Sequence, residues 1–323
     1  MNKFWRDCPE ISRELDIVKN IIKKSVSSSE KYFEESFLPL IEDGGKMLRP
    51  AFLLLSARFG QCNQERLYDL AASVEMVHLA TLIHDDIIDN SKLRRGCESI
   101  QSKYGKEYAV YAGDFLFCKC FSMLSQHDYK TENLRDISRA INRICMGEIK
   151  QYHFRYTRKV NLRRYIKIIS GKTAALFALS FIAGAKEGNC DEELVKLLGR
   201  IGYNIGMAFQ CIDDLLDYVG NENELGKSAQ SDLKQGYYTL PIIFALEEDK
   251  DKELSNILDK STFNDGDIKK IVSLVKKYNG IEKSMKVAER YTKKAFENID
   301  NLPKCESQYI IKSVVEKLLN RTF

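Results

Sequence analysis

Little in this sequence bends, staples or charges the chain in one direction. Only five prolines occur in 323 residues, which leaves small room for linker-like or disordered tracts. The nine cysteines include no CxxC pair and no regular spacing, and an odd count argues against a complete disulfide framework. Reduced thiols in a cytosolic protein are the natural expectation, with Cys118 and Cys120 pointing to different faces of one helix. A net charge of +4 is too small to argue for nucleic acid. Arg155, Arg158, Lys159, Arg163, Arg164 and Lys167 do cluster, as expected of a solvated helix face, so that contact with a membrane is at most peripheral. The first residues, MNKFWRDCPEISREL, lack the apolar core of a signal peptide. The longest apolar run, 173–185, is interrupted by Gly184 and is short for a bilayer span. A soluble, cytoplasmic protein is expected. No alternating strand pattern and no hairpin turn pair stands out.

What is present is helical. A hydrophobic content of 44% with 30% charged residues suits an ordinary chain with a substantial core. Helical spacing predicts a break at Ser27–Ser29 within 11–40, then helices over 51–59, 63–89, 108–124, 132–151, 174–183 and 191–217. In DGGKMLRP, two glycines free the backbone to turn and Pro50 suits the first turn of the next helix. Lys46 and Arg49 thereby sit at the mouth of a buried element. Tyr152, Phe154 and Tyr156 read as packing residues, and Lys172-Thr173 as the opening of the apolar helix 174–183. A polar loop over 220–236 carries Gly226-Lys227-Ser228, but Asn221 stands where a phosphate-binding GxxxxGK[ST] loop needs its first glycine. At about seventeen residues the loop has the length of a functional lid. Leu240-Pro241 starts another helix, and Lys-rich amphipathic helices complete an all-α chain of one domain, 1–323.

The chain is organised around residues 81–96, TLIHDDIIDNSKLRRG. Asp85 and Asp89 are four apart, so a helix puts both carboxylates on one face, where like charges repel. They also fall at the helix C-terminus, the end already negative by its dipole. A hard divalent cation relieves both costs: Mg²⁺ takes oxygen ligands and is typically held by one or two carboxylates plus substrate phosphates. Arg94 and Arg95 follow with planar forks suited to phosphate oxygens. One such motif is ordinarily a solvated acidic helix end, but a second, Asp213-Asp214-Leu215-Leu216-Asp217, follows another apolar helical run. Two copies point to a diphosphate site. His78, two turns before Asp85, is by itself more in keeping with a hydrogen-bonded helix histidine.

Taken in order, GGKMLRP, HDDIIDNSKLRRG, GEIKQ, KT, QCIDDLLDY and GKSAQSDLKQGYYTLP resemble the trans-isoprenyl diphosphate synthase (polyprenyl synthetase) family over nearly the whole chain. Within it the sequence looks most like the catalytic larger component of heptaprenyl diphosphate synthases and related octaprenyl enzymes. The resemblance implies the isoprenoid synthase fold, antiparallel helices around a central cavity, and a homodimer or a heteromer with a small regulatory subunit. It also implies an Mg²⁺-dependent prenyltransferase with three Mg²⁺ per active site. Asp85 and Asp89 would hold metal on the allylic diphosphate with Asp86 in support, and Asp213, Asp214 and Asp217 would bind further Mg²⁺. Arg94, Lys172, Thr173, Gln210 and Lys227 would grip the same diphosphate. Lys46, Arg49, His78 and Arg95 would receive isopentenyl diphosphate. The reaction needs no side-chain nucleophile, in keeping with the lack of a persuasive serine or cysteine constellation.

Met47, Ser228 and Gln230 depart from the family's usual arginine, proline and glycine, without removing an implied ligand. Residues one turn before the first aspartate line the product channel in this family, and Ala80 and Thr81 are small. Each buried five-carbon unit contributes at most about 4 kcal/mol at ~0.8 per methylene, so a deep channel can hold a long chain. The expected product is C30 to C40, the alternative a short farnesyl or geranylgeranyl product. A terpene cyclase would mix Asn, Ser and Glu in its second metal motif, and a non-catalytic subunit would tend to lose its aspartates or arginines; this chain keeps both boxes.

Overall fold

The computed structural model describes residues 3–27, 30–42, 45–129, 131–219, 230–260 and 262–319. It is 78% helical, as the periodicity predicts. After a 3₁₀ turn, Lys3–Trp5, α1 (Pro9–Val26) begins on a proline and buries Ile11, Leu15, Val18, Ile22 and Val26 at helical spacing. Then come α2 (Lys31–Glu42), α3 (Leu48–Ala57) and α4 (Gln64–Ile88). The break between α1 and α2 falls where expected, although Ser28 and Ser29 lie outside the described residues. Pro50 occupies the first turn of α3, nearly all of which is buried. The side chain of Asn63 caps α4 by accepting from the Arg66 amide.

α5 (Ile100–Tyr104), α6 (Lys106–Leu124) and α7 (Thr131–His153) follow. Cys118 is exposed and Cys120 buried, as their spacing predicts, and all nine cysteines are free. α8 (Leu162–Ile169) runs through a π-helical segment, Ser170–Ala174, into α9 (Ala175–Glu187). α10 (Glu192–Val219) carries the second aspartate motif. The remainder is α11 (Ser231–Lys234), α12 (Leu240–Glu248), α13 (Glu253–Leu258), α14 (Asp265–Lys277), α15 (Gly280–Asp300) and α16 (Glu306–Leu319).

Contacts divide the chain into two compact units. One comprises residues 1–139, 179–199 and 302–311, the other 140–178, 200–301 and 312–323. In the first, α4 packs along α6, α1 and α3, and Phe52 stacks on Phe181 at 4.8 Å. In the second, α12 packs against α15 and α14, and Phe177 meets Phe209 at 5.8 Å.

Four expectations are corrected. A short antiparallel hairpin, β1 (Leu93–Arg94) with β2 (Cys97–Glu98), occurs where no strand was expected. Its turn residues, Arg95 and Gly96, both have positive φ, 54° and 84°, the requirement of a type I′ turn that Gly meets without strain. An Arg-Gly pair is a weak signal for it. Lys172 and Thr173 do not open a helix; they lie in the π-helical segment of a continuous one. The apolar run 173–185 belongs to that helix, Leu162–Glu187, which is long and apolar enough to cross a membrane but has 78% of its most apolar window buried within the protein. Tyr152 is 61% exposed rather than packed.

Candidate active site

In the first unit, α4 turns Asp85 and Asp89 onto one half-buried face, while Asp86, one residue on, is buried. The Asp86 carboxylate accepts from Arg94 Nε at 2.9 Å and also from its Nη2. The hairpin is thereby tied to the helix that carries the first box. Further ties are the Ser91 amide donating to the Asp86 carbonyl at 2.9 Å and Ser99 Oγ and Gln101 Nε2 donating to the Ser91 carbonyl, each at 2.6 Å. A shallow depression of about 40 Å³, lined in part by Glu35, Ser36, Ile83, Asp86, Arg94 and Arg95, borders this pair.

Arg95 lies against the turn before α3. Gly45 has φ +64°, and a Cβ there would stand 2.8 Å from the Arg95 guanidinium carbon; a side chain would push the arginine away. Around this turn the charge is strongly positive. Burial, with the nearby Arg95, brings the Arg49 guanidinium down to about 10 against the opposing pull of Glu75. Burial drives the His78 imidazole well below its usual range, and Arg49, Arg95 and Arg94 drive it further. His78 is therefore neutral at pH 7, a hydrogen-bonding group among three arginines. Glu75, buried, is pushed up by burial and pulled back by Arg49 and Arg95. Such a pocket suits a multiply charged anion. Ala80, fully buried, and Thr81, half-buried, precede the box on α4.

In the second unit, a Cβ on Gly147 of α7 would stand 2.6 Å from the Lys172 amide nitrogen, and one on Gly171 would stand 2.5 Å from the Arg143 carbonyl oxygen. The two backbones can touch only because both residues are glycine. This contact sets Lys172 Nζ between Glu148 Oε2 and Gln151 Oε1, each at 2.9 Å. One residue on, Thr173 Oγ1 donates to Gln210 Oε1 at 2.6 Å. Gln210 Nε2 donates to Asp214 Oδ1 at 2.8 Å, and Tyr165 Oη to Asp214 Oδ2 at 2.6 Å. A single hydrogen-bonded chain thus links the π segment to the second box. π segments of this kind are frequent at functional sites.

Asp214 is buried, and burial, with Asp232 nearby, pushes its carboxyl well above the usual carboxylate range against the donors Tyr165 and Gln210. Asp213 is exposed and Asp217 half-buried on the other face of α10. The sequence assigned no role to Tyr165, Glu148 or Gln151, although Glu148 and Gln151 lie in the GEIKQ motif. Tyr165 left a signal of its own: it occupies the buried stripe of α8 together with Ile168 and Ile169, a phenol where an apolar side chain would serve packing. Lys227, the remaining expected ligand, lies outside the described residues.

The two boxes fit a divalent metal by their donor chemistry. Each turns a pair of carboxylates spaced i, i+4 to one side near a helix C-terminus, where charge repulsion and the dipole both call for a cation. Among the described residues no three His, Cys, Asp or Glu side chains form a group that could hold an ion. A divalent cation held by such a carboxylate pair takes water and substrate oxygens for the rest of its shell.

Comparison with known proteins agrees. The chain is 34% identical over 321 residues to heptaprenyl diphosphate synthase component 2 of Bacillus subtilis (strain 168), covering 99% of this chain and 92% of that one. The structure of geranylgeranyl pyrophosphate synthase from Lactobacillus brevis ATCC 367 superposes with a TM-score of 0.93 at 33% identity, covering 99% of each chain. Polyprenyl synthase from Caulobacter crescentus CB15, solved with calcium and isoprenyl diphosphate, superposes with a TM-score of 0.89 at 28% identity, covering 96% of this chain and 95% of that one. Residues 30–275 match the polyprenyl synthetase family, and with the full-length likeness to these synthases the chain belongs to that family.

Proposed function

We propose that this protein is a prenyltransferase that lengthens an allylic diphosphate with isopentenyl diphosphate, head to tail, to an all-trans product of C30 to C40. The observation that carries the reading is the shared build of the two boxes, an outward pair of carboxylates with a buried, anchored aspartate between them. Asp85, Asp89, Asp213 and Asp217 would hold Mg²⁺, three ions with the allylic diphosphate. Bound there, the metal would supply Lewis-acid stabilisation of the leaving diphosphate.

The chain's own groups bind and orient. Arg94, fixed by Asp86, would offer its outer N–H groups to the allylic diphosphate, and Lys172, Thr173, Gln210 and Lys227 would bind the same group. Lys46, Arg49, Arg95 and neutral His78 receive isopentenyl diphosphate. As the allylic C–O bond breaks, the double bond of isopentenyl diphosphate attacks the allylic carbon, and a proton is lost to the departing diphosphate.

Ala80 and Thr81 support a long product, since neither fills space ahead of the first box. Relatives of similar identity include both a heptaprenyl and a geranylgeranyl synthase, so family membership alone does not decide length. The test is incubation of the purified protein with Mg²⁺, labelled isopentenyl diphosphate and farnesyl diphosphate, followed by separation of products. A ladder ending at C30–C40 is expected, and Ala80→Phe should shorten it to C15–C20. An unchanged distribution in the variant would place the channel floor elsewhere.

A second reading has its own observation. The Bacillus subtilis relative is a component 2, so a small partner subunit would account for a lack of product from this chain alone. Tyr111, Cys118 and Phe121 are exposed on α6 and would serve a homodimer. Nine free cysteines suit the cytoplasm.

A further inference from the structure

Lys46 is gripped at both ends by the first described residues of the chain. Trp5, the sole tryptophan, is 1% exposed, and its indole N–H donates to the Lys46 carbonyl at 2.6 Å. Phe4 meets Trp5 edge to face at 5.1 Å, and Lys46 Nζ stands over the Phe4 ring, 4.8 Å from its centroid. The turn so held is not one the backbone prefers. Gly45 has φ +64° and Met47, on the other side, has φ 46°, left-handed and costly for a residue with a side chain. The same turn supports the Arg95 guanidinium at Gly45 and leads directly into Arg49.

We propose that Phe4 and Trp5 are positioning residues for the isopentenyl diphosphate subsite: Trp5 fixes the turn through the Lys46 carbonyl, and Phe4 aims the Lys46 ammonium. This rests on the reading of Lys46 as a ligand of that diphosphate. A ring face orients an ammonium without itself cancelling its charge, whereas Lys172 is oriented by the carboxylate of Glu148. An indole N–H has one donor and no acceptor, so Phe at position 5 removes the hold while keeping the buried ring. Strain at Met47 then has less to oppose it, and Lys46 samples positions away from the anion.

The test is calorimetric titration of the full chain, in Mg²⁺, with isopentenyl diphosphate and separately with a non-reactive thiolo analogue of farnesyl diphosphate. Trp5→Phe and Phe4→Leu should each weaken isopentenyl diphosphate by about three- to tenfold, and the allylic analogue by less than about twofold. In Lys46→Ala the first affinity should fall further, and adding Phe4→Leu to it should have no additional effect. Equal weakening of both ligands, no weakening in either folded single variant, or full additivity in the double variant would overturn the proposal. Unchanged isopentenyl diphosphate binding in Lys46→Ala would instead overturn the site assignment, and the proposal with it. Phe4 is half-buried, so Phe4→Leu keeps the test decisive should Trp5→Phe fold poorly.

Discussion

The two aspartate boxes spell the same motif and bury the same middle residue, yet they solve its electrostatics differently. Asp86 is held by a cation: Arg94, sent back from a hairpin, donates to it twice. Asp214 is held by neutral donors, the phenol of Tyr165 and the amide of Gln210. The first solution ties the hairpin arginine to the helix that carries the first box. The second joins the box to the π segment and keeps positive charge for Lys172, itself set against Glu148. A buried carboxylate can be kept either way, but losing an ionic partner strands a charge, whereas losing a neutral donor costs one hydrogen bond.

The largest expected effect sharpens the comparison at the outward carboxylates. Asp85→Asn should lower kcat by about 10²- to 10³-fold. Asp213→Asn should lower it by less, about tenfold to 10²-fold, because Asp213 is exposed and water weakens its pull on a cation. Steady-state rates at saturating Mg²⁺ measure both; equal losses would mean the two boxes share the metal load evenly.

A smaller effect tests the buried aspartates through stability. Asp86→Asn leaves Arg94 without its carboxylate and should cost about 2–4 kcal/mol. Asp214→Asn keeps an acceptor of the same shape and should cost about 1 kcal/mol. Urea unfolding midpoints would show it, and a reversed order would break the distinction between ionic and neutral anchoring.

The smallest effect is in pH, and it belongs to the arginine-rich region. The native His78 resists protonation, while the unfolded chain takes up a proton near the ordinary value of 6.5. The unfolded state therefore binds more protons below that value, and stability rises with pH there: it is fully present above 6.5 and lost as pH falls beneath it, by at most about 1.4 kcal/mol per pH unit from this group. His78→Gln should flatten that part of the curve in urea unfolding between pH 5.5 and 7. An equal slope in the variant would mean that His78 does not carry that part of the curve.

Much of this was legible in the linear chain. Helix spacing forecast α3, α4, α6, α7 and α10 to within a few residues but not α5 or α8, and the i, i+4 aspartates put Asp85 with Asp89, and Asp213 with Asp217, on shared faces by periodicity alone. The hairpin was missed because two-residue strands have no alternation to read and its turn is Arg-Gly rather than Asn-Gly. The π segment was missed because it lies against Gly147, far from Gly171 in sequence, a contact no local pattern shows. Tyr165 and Trp5 went unmarked because only their hydrogen-bond partners distinguish them from ordinary core aromatics.

The sequence by itself determined the helical class, the pairing of carboxylates and the supply of cations, since periodicity and charge are local properties. Only the tertiary structure decided which aspartate takes an arginine and which a phenol, that His78 is neutral among Arg49, Arg94 and Arg95, and that Lys46 is held by Phe4 and Trp5. Those outcomes depend on burial and on distances between residues remote in the chain, which set the desolvation and Coulomb energies that no local pattern encodes.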